Sequence, residues 1–367
     1  MKKARMIYAS SEADADILYA TRHFVPDPFL WWEWRGQTHV VMSPLEIDRA
    51  RKSKNIDHVH APEEFILKGT SASTAQLIVE IARKQKFNAA EVPASFPLGL
   101  AFELKKLGFH IDVVEGPFFP QRQFKTADEV KKLTVALRVT EAGLARGFEV
   151  LRQTKIGPKG VLRWGNAVLT SEILRGEIDA VVVKKGGLPA NTIVAGGDQA
   201  CDPHERGSGP LRANETIIMD IFPRHQSTGY FGDLTRTVVR GRASDAQKKL
   251  YFTVAEGKRW VQKQMKPGVD GKKLHEALVQ RFTEAGFPTE KRKGRWVGFF
   301  HGTGHGLGLE IHESPRFAAG KFKKGLALTV EPGLYYPGLG GVRLEDVVIL
   351  QTGGILNLTK APQFLEI

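Results

Sequence analysis

Four acids and one histidine stand where their neighbours are apolar, β-branched or glycine-rich, and together they have the chemistry of a metal site. Asp220 falls near the end of Glu215-Thr216-Ile217-Ile218-Met219-Asp220-Ile221-Phe222, a run that reads as a strand. A strand there would bury the acid, and a buried carboxylate needs a cation, hydrogen bonds or a proton. Thirteen residues on (233 − 220), Asp233 opens a second strand-like run, Gly232-Asp233-Leu234-Thr235-Arg236-Thr237-Val238-Val239. Two strands joined by a polar loop form a hairpin. Paired in register, it would set the two carboxylates side by side, which only a metal or a shared proton makes tolerable.

The remaining donors follow in order. His301-Gly302-Thr303-Gly304-His305-Gly306-Leu307-Gly308-Leu309-Glu310-Ile311-His312 alternates glycine with larger residues. That pattern argues against a helix and for backbone packed close to something else, with His301, His305 and His312 converging. Glu331-Pro332-Gly333 then follows one β-type run, and Arg343-Leu344-Glu345-Asp346-Val347 opens another. A lone acid is usually a solvated or capping residue, and a lone histidine is usually a satisfied core or surface group. The order and context of all five weaken that reading. Hard oxygen with a single imidazole suits Mn2+, Co2+, Zn2+ or Fe2+ and does not suit a thiolate-type structural zinc site.

These residues need a scaffold, and its elements are partly legible. The first third of the chain alternates strand and helix signals. Thr38 to Met42 and Phe109 to Val114 read as strands, Pro44 to Lys54 as a helix entered through Ser43, and Ser73 to Lys86 as a helix with apolar spacing. The turn-rich Gly116-Pro117-Phe118-Phe119-Pro120 precedes Thr126-Ala127-Asp128-Glu129, a capping box that opens a long helix over 126–152. We therefore expect a domain boundary near residue 122, with a smaller α/β domain over 1–122 and a larger one over 123–367. In the second, helices are expected over 161–176, Ala243 to Lys266 and Lys272 to Ala285, among short Gly- and His-rich strands. Phe29-Leu30-Trp31-Trp32-Glu33-Trp34 holds three of the six tryptophans and reads first as a buried strand, with a cleft wall or dimer contact as the functional alternative.

Composition excludes more than it identifies. A chain of 367 residues with 42% hydrophobic and 25% charged residues is ordinary for a globular protein of one or two domains. Fifty-three Lys and Arg against forty Asp and Glu give a formal charge of +13, in short clusters such as Lys291-Arg292-Lys293 and Lys321-Phe322-Lys323-Lys324. With no helix-long basic stripe, we read a solvated basic surface and expect no nucleic-acid partner. Cys201 is the single cysteine, so no internal disulfide is available. The basic start Met1-Lys2-Lys3 is followed by Glu12, Asp14 and Asp16 rather than an apolar segment, and no run approaches the ~20 apolar residues of a bilayer span. A cytoplasmic location without membrane association is the expectation.

The motifs resemble those of the pita-bread metallopeptidase family, which contains methionine aminopeptidase, aminopeptidase P and prolidase. The elements that carry the resemblance are Asp220, Asp233-Leu234-Thr235-Arg236-Thr237, His301 to Gly306, Ile311-His312-Glu313, Glu331-Pro332-Gly333 and Arg343-Leu344-Glu345-Asp346. The resemblance implies an α+β chain, with a C-terminal pita-bread domain after a creatinase/prolidase-like N-terminal domain. It implies two divalent metals, Mn2+ first, with Asp233 and Glu345 bridging, Asp220 completing one site, and His305 with Glu331 completing the other. His204, in Cys201-Asp202-Pro203-His204, and His312 match residues that hold substrate and steady the oxyanion. His301, Tyr335 and Arg343 match positions lining the pocket of proline-specific members. Glu331 is in addition a candidate to carry a proton to the leaving nitrogen.

An N-terminal domain together with all five ligands points within that family to Xaa-Pro hydrolysis by a metal-bridging hydroxide, on peptide N-termini or dipeptides, in a homodimer. The alternatives are a broad-specificity aminopeptidase, a non-peptide amide hydrolase on the same fold, or a non-catalytic peptide- or nucleic-acid-binding relative. Two departures from the family pattern stand out. The interval between the first two acids is longer than usual, which places an extended loop at Arg224-His225-Gln226-Ser227, with His225 either facing the cleft or at a solvated tip. Tyr19-Ala20-Thr21-Arg22-His23 also replaces a commoner Tyr-Leu-Thr-Gly-Phe.

Overall fold

The computed structural model describes residues 2–66 and 72–367; Met1, part of the basic start weighed above, lies outside them. Two compact units result, Met1–Arg122 and Gln123–Ile367. Among the described residues no helix is long and apolar enough to cross a membrane.

The first unit is built on a six-stranded mixed sheet. Its spatial order is His58–His60, Gln37–Val41, Phe29–Trp34, Lys3–Ala9, Ala89–Val92 and His110–Val113. Alternation along Phe29–Trp34 sends successive side chains to opposite faces. Trp31 joins Phe29 and Ile7 under helices α1 (Ala15–Thr21) and α2 (Ile47–Ala50). Trp32 joins Leu30 and Met6 under α3 (Thr74–Gln85) and α4 (Leu98–Lys106). The tryptophan-rich segment is thus a core strand. The helix expected over Pro44 to Lys54 contracts to α2. Its last amides bond three residues back, Lys52 to Arg49 and Ser53 to Ala50, and only Ala50 is buried, so no apolar face remains to extend it.

In the second unit Thr126 caps α5 (Ala127–Gln153). Its hydroxyl accepts from the Glu129 amide, and the Glu129 carboxylate accepts from the Thr126 amide at 2.9 Å. The helix expected over 161–176 is displaced. Leu162–Trp164 and Ala167–Val168 form a small sheet with Lys155–Ile156, turning at Gly165 with φ +57°, and α6 begins only at Ser171, capped by Thr170, and runs to Lys184. Leu162 and Leu169 suit either period over so short a span, and the glycine turn decides for strand.

Helix α5 packs on α6 and on the central strand Thr216–Ile221 through glycines. A Cβ on Gly143 would lie 2.9 Å from Val182 Cγ2, and one on Gly147 2.8 Å from Met219 Sδ, beside Asp220. Strands Ile193–Gly196, Thr216–Ile221 and Leu234–Val239 form one antiparallel sheet. A second sheet orders Glu313–Arg316, His305–Gly306, Ala327–Val330, Asp346–Gln351 and Gly354–Asn357. Helices α7 (Asp245–Gln264) and α8 (Gly271–Glu284) bury Leu250, Val254, Leu278 and Phe282 in a core shared with Leu328, Val330 and Val348. Gly147→Leu overpacks the α5 contact, and urea unfolding of the second unit is expected to register a loss on the order of 1–3 kcal/mol. No loss would contradict the close approach.

Candidate metal centre and substrate cavity

The register of the first hairpin differs from the simplest expectation. Asp220 pairs with Thr235, and Ile221 with Leu234, so Asp233 precedes the second strand by one residue. The two acids are diagonal neighbours on one face rather than directly opposed. The longer interval between them is taken up by Arg224–His225, a two-residue strand that pairs with Gly187–Leu188. His225 there is half-buried, with Nδ1 beside Thr228 Oγ1 at 3.2 Å, and does not line the cavity described next.

The second sheet supplies the other donors. His305 lies on its own short strand, Glu331 follows Val330 and Glu345 precedes Asp346. Val330 pairs with Asp346, so Glu331 and Glu345 leave the ladder at the same end. All five residues line one cavity of about 820 Å3. Single ligand atoms of Asp233, His305 and Glu345 lie within 4.8 Å of one another. His305 Nε2 is 3.6 Å from Asp233 Oδ2 and 3.3 Å from Glu331 Oε1.

The electrostatics of this cluster call for a cation. Asp233 is 4% and Glu345 2% exposed. Burial first, then mutual repulsion among Asp220, Asp233, Glu331 and Glu345, holds the carboxyls of Asp233 and Glu345 well above their ordinary range, and burial pushes Glu331 up to about 7. Burial likewise pushes His305 down to about 3, so its imidazole is neutral, as a metal ligand requires. Asp220 Oδ2 accepts from Arg343 Nη2 at 2.7 Å, whereas its buried Oδ1 has no hydrogen-bond partner. An orphaned carboxylate oxygen beside three ionisable acids and a neutral imidazole fits divalent cations. Cys201, the one thiol, is buried outside the cavity lining.

Several residues hold the donors in place. Thr235 Oγ1 donates to Glu345 Oε2 at 2.8 Å, and Thr329 Oγ1 accepts from the His305 amide at 3.1 Å while lying 3.4 Å from Glu331 Oε1. On the reverse face Arg236 donates to the Glu345 carbonyl at 2.5 Å and to Asp346 Oδ1 at 2.9 Å, and Lys258 from α7 donates to Asp346 Oδ2 at 2.8 Å. Thr235 was within reach of sequence reasoning, since two residues from Asp233 in a strand means the same face.

Of the other residues singled out, His204, His301, His312 and Arg343 line the cavity. Tyr335 does not. It is fully buried, and its hydroxyl lies 2.9 Å from His301 Nε2 and accepts from Arg343 Nη1 at 3.0 Å. A chain of contacts therefore runs from His301 through Tyr335 and Arg343 to Asp220. Sequence reasoning did not single out Arg316, four residues after His312, which also lines the cavity; no carboxylate of the described residues lies within ion-pair distance of it. Nor did it single out the apolar wall of Ile193, Phe222, Phe300 and Ile311.

This cluster should respond to charge and to metal in opposite ways. Because the Asp233 carboxyl is held above its ordinary value, its penalty on the metal-free fold is absent below that value and grows as pH rises through the raised one. At pH 8 Asp233→Asn is expected to raise the melting temperature of EDTA-treated protein by a few degrees, ~2–4 °C per kcal/mol in a unit of this size, and to abolish the further rise on adding Mn2+. A lower metal-free melting temperature would count against the repulsive cluster.

Comparison with known proteins agrees with this geometry. Residues 131–352, more than half of the chain, match metallopeptidase family M24. The Xaa-Pro dipeptidase of Lactobacillus helveticus is 30% identical over 256 residues, which is 67% of this chain and 62% of that relative's length. The fold is shared with the prolidase from Pyrococcus horikoshii, at a TM-score of 0.80 and 23% identity over 99% of this chain and 95% of that one. It is shared equally with the X-Pro aminopeptidase from Thermotoga maritima, at 0.83 and 22% over 100% and 97%. With the pita-bread fold, the α+β content and the matched segment together, the chain belongs to metallopeptidase family M24.

Proposed function

We propose that this chain hydrolyses the Xaa-Pro bond of short peptides, with Asp220, Asp233, His305, Glu331 and Glu345 holding two divalent metal ions. The observation that carries the reading is the convergence of these five donors on one cavity that also presents an apolar surface of Ile193, Phe222, Phe300 and Ile311. An Xaa-Pro bond is a tertiary amide without an N–H, so it offers no donor to a strand-like binding groove. Its pyrrolidine ring must be recognised by shape, and Ile193, Phe222, Phe300 and Ile311 offer such a surface.

Bound metal ions supply Lewis acidity toward the scissile carbonyl and acidify water toward neutral pH. The chain's own residues do the rest. His204 and His312, both exposed at the cavity, are placed to donate to the carbonyl oxygen as negative charge develops there. Glu331, at the cavity beside the other donors, is placed to pass a proton to the leaving nitrogen. The His301–Tyr335–Arg343 chain fixes one oxygen of Asp220 and leaves the other buried without a hydrogen-bond partner.

The guanidinium of Arg316, which lines the cavity, matches a terminal carboxylate, which favours Xaa-Pro dipeptides over longer peptides. Residues 1–122 are assigned as the creatinase/prolidase-like N-terminal domain and 123–367 as the catalytic domain. Mn2+ as the metal, a homodimeric assembly and a cytoplasmic location belong to the same proposal and rest on the family resemblance and composition.

The test uses metal-stripped protein reloaded with Mn2+, Co2+ or Zn2+, assayed on an Xaa-Pro dipeptide, an Xaa-Pro-Yaa tripeptide and peptides without proline. Metal-dependent cleavage confined to proline substrates, lost in Asp233→Ala, is expected. Arg316→Ala is expected to raise KM for the dipeptide more than for the tripeptide. Equal rates on peptides without proline would remove proline from the account and favour a broad aminopeptidase.

A further inference from the structure

We infer that His275 is a positioning residue for the metal centre: from α8 it holds Thr303, and through Thr303 the backbone that sets Glu331 and His305. The inference rests on the metal-binding reading above. His275 Nδ1 lies 2.8 Å from Thr303 Oγ1, and Thr303 is 1% exposed. The Thr303 carbonyl accepts the Glu331 amide at 2.9 Å, and two residues on the His305 amide donates to Thr329 Oγ1. Thr303 is thus tied by its side chain to a helix and by its backbone to one ligand, and is two residues from another.

The need for such a tie follows from the local sequence. Residues 299–304 form no helix or strand, and Gly302 and Gly304 flank Thr303. Gly304 is required by contact, since a Cβ there would lie 2.0 Å from the Thr329 carbonyl oxygen. Glycine on both sides of Thr303 leaves the segment little conformational preference of its own, so side-chain contacts must select its position.

Helix α8 is a rigid source for those contacts, because Leu274, Leu278 and Phe282 anchor it in the core. His275 stands beside Leu274 on the flank. Its ring packs on Phe299 with centroids 5.4 Å apart, and Phe299 packs edge-on against His301 at 5.0 Å. The helix therefore touches the irregular segment near both ends, by packing at Phe299 and by hydrogen bonding at Thr303. Sequence reading placed His275 inside a helix and gave it no role, because its partner lies 28 residues away.

The experiment titrates metal-free protein with Mn2+ alone by calorimetry, for wild type, His275→Leu, His275→Asn, Thr303→Val and the double variant His275→Leu/Thr303→Val, with melting temperatures of the metal-free proteins alongside. Asn can present a polar atom near the position of Nδ1, whereas Leu keeps bulk and loses the hydrogen bond. The expected result is Mn2+ binding weakened roughly 10-fold in His275→Leu and in Thr303→Val, near the lower end for partners outside the ligand set. The double variant should be no weaker than either single, as for two ends of one interaction, and His275→Asn should recover most of the loss. Should His275→Leu fail to fold, Thr303→Val and His275→Asn carry the same comparison. Wild-type affinity in His275→Leu or Thr303→Val, with only the melting temperature lowered, would overturn the inference by making the contact purely structural. No Mn2+ binding by wild type would overturn the metal-binding reading and this inference with it.

Discussion

The second unit is organised around one electrostatic constraint: Asp220, Asp233, Glu331 and Glu345 share a cavity in which Asp233 and Glu345 are almost wholly shielded from water. Like charges so close cannot all ionise without compensation. The protein supplies only part of it. Arg343 pairs with Asp220, Thr235 donates to Glu345, and Thr329 lies 3.4 Å from Glu331. The carboxyls of Asp233 and Glu345 nevertheless remain well above their ordinary range. A cavity that keeps its acids short of neutralising partners stores affinity for cations.

That constraint accounts for how the surrounding structure is built. The acids come from two sheets, so neither hairpin alone forms the site. Each ligand lies within or beside a strand whose other face is in the core, where position is set by packing rather than by loop conformation. Behind Glu345 the alternation of the strand turns Asp346 the other way, into Arg236, Lys258, Gln262 and Asn357. Three of these partners donate to one carboxylate oxygen, and Arg236 also reaches the Glu345 carbonyl, so the backbone of the ligand is gripped from the face away from the cavity. The burial that raises the acids of the cavity leaves Asp346 below the ordinary range, because its neighbours Lys258 and Arg236 are cations.

Much of this was legible in the sequence where a local rule sufficed. Thr126 caps its helix through the box closed by Glu129, as the sequence pattern indicates, and the helices over Thr74–Gln85 and Asp245–Gln264 begin within a residue or two of their expected starts. The buried acid of an apolar strand and the glycine-spaced histidines were legible for the same reason, since each violates a local expectation. What was not legible depends on partners distant in sequence. The Asp220–Thr235 register could not be read because hairpin pairing depends on the turn, and Arg224–His225 is drawn off to pair with Gly187–Leu188. Tyr335 reads as a pocket residue, yet its hydroxyl is claimed by Arg343 and His301 behind the wall. Leu162 to Val168 reads as helix until Gly165 turns the chain.

The most direct test of the central claim is anomalous diffraction from crystals of the protein grown with Mn2+, recorded on both sides of the manganese absorption edge. The account predicts two anomalous peaks within the cavity, each within bonding distance of side-chain atoms from Asp220, Asp233, His305, Glu331 or Glu345. Peaks only on the protein surface, with the cavity holding none and its carboxylates hydrogen-bonded to one another, would show that shared protons rather than metal ions resolve the charge, and would contradict the account.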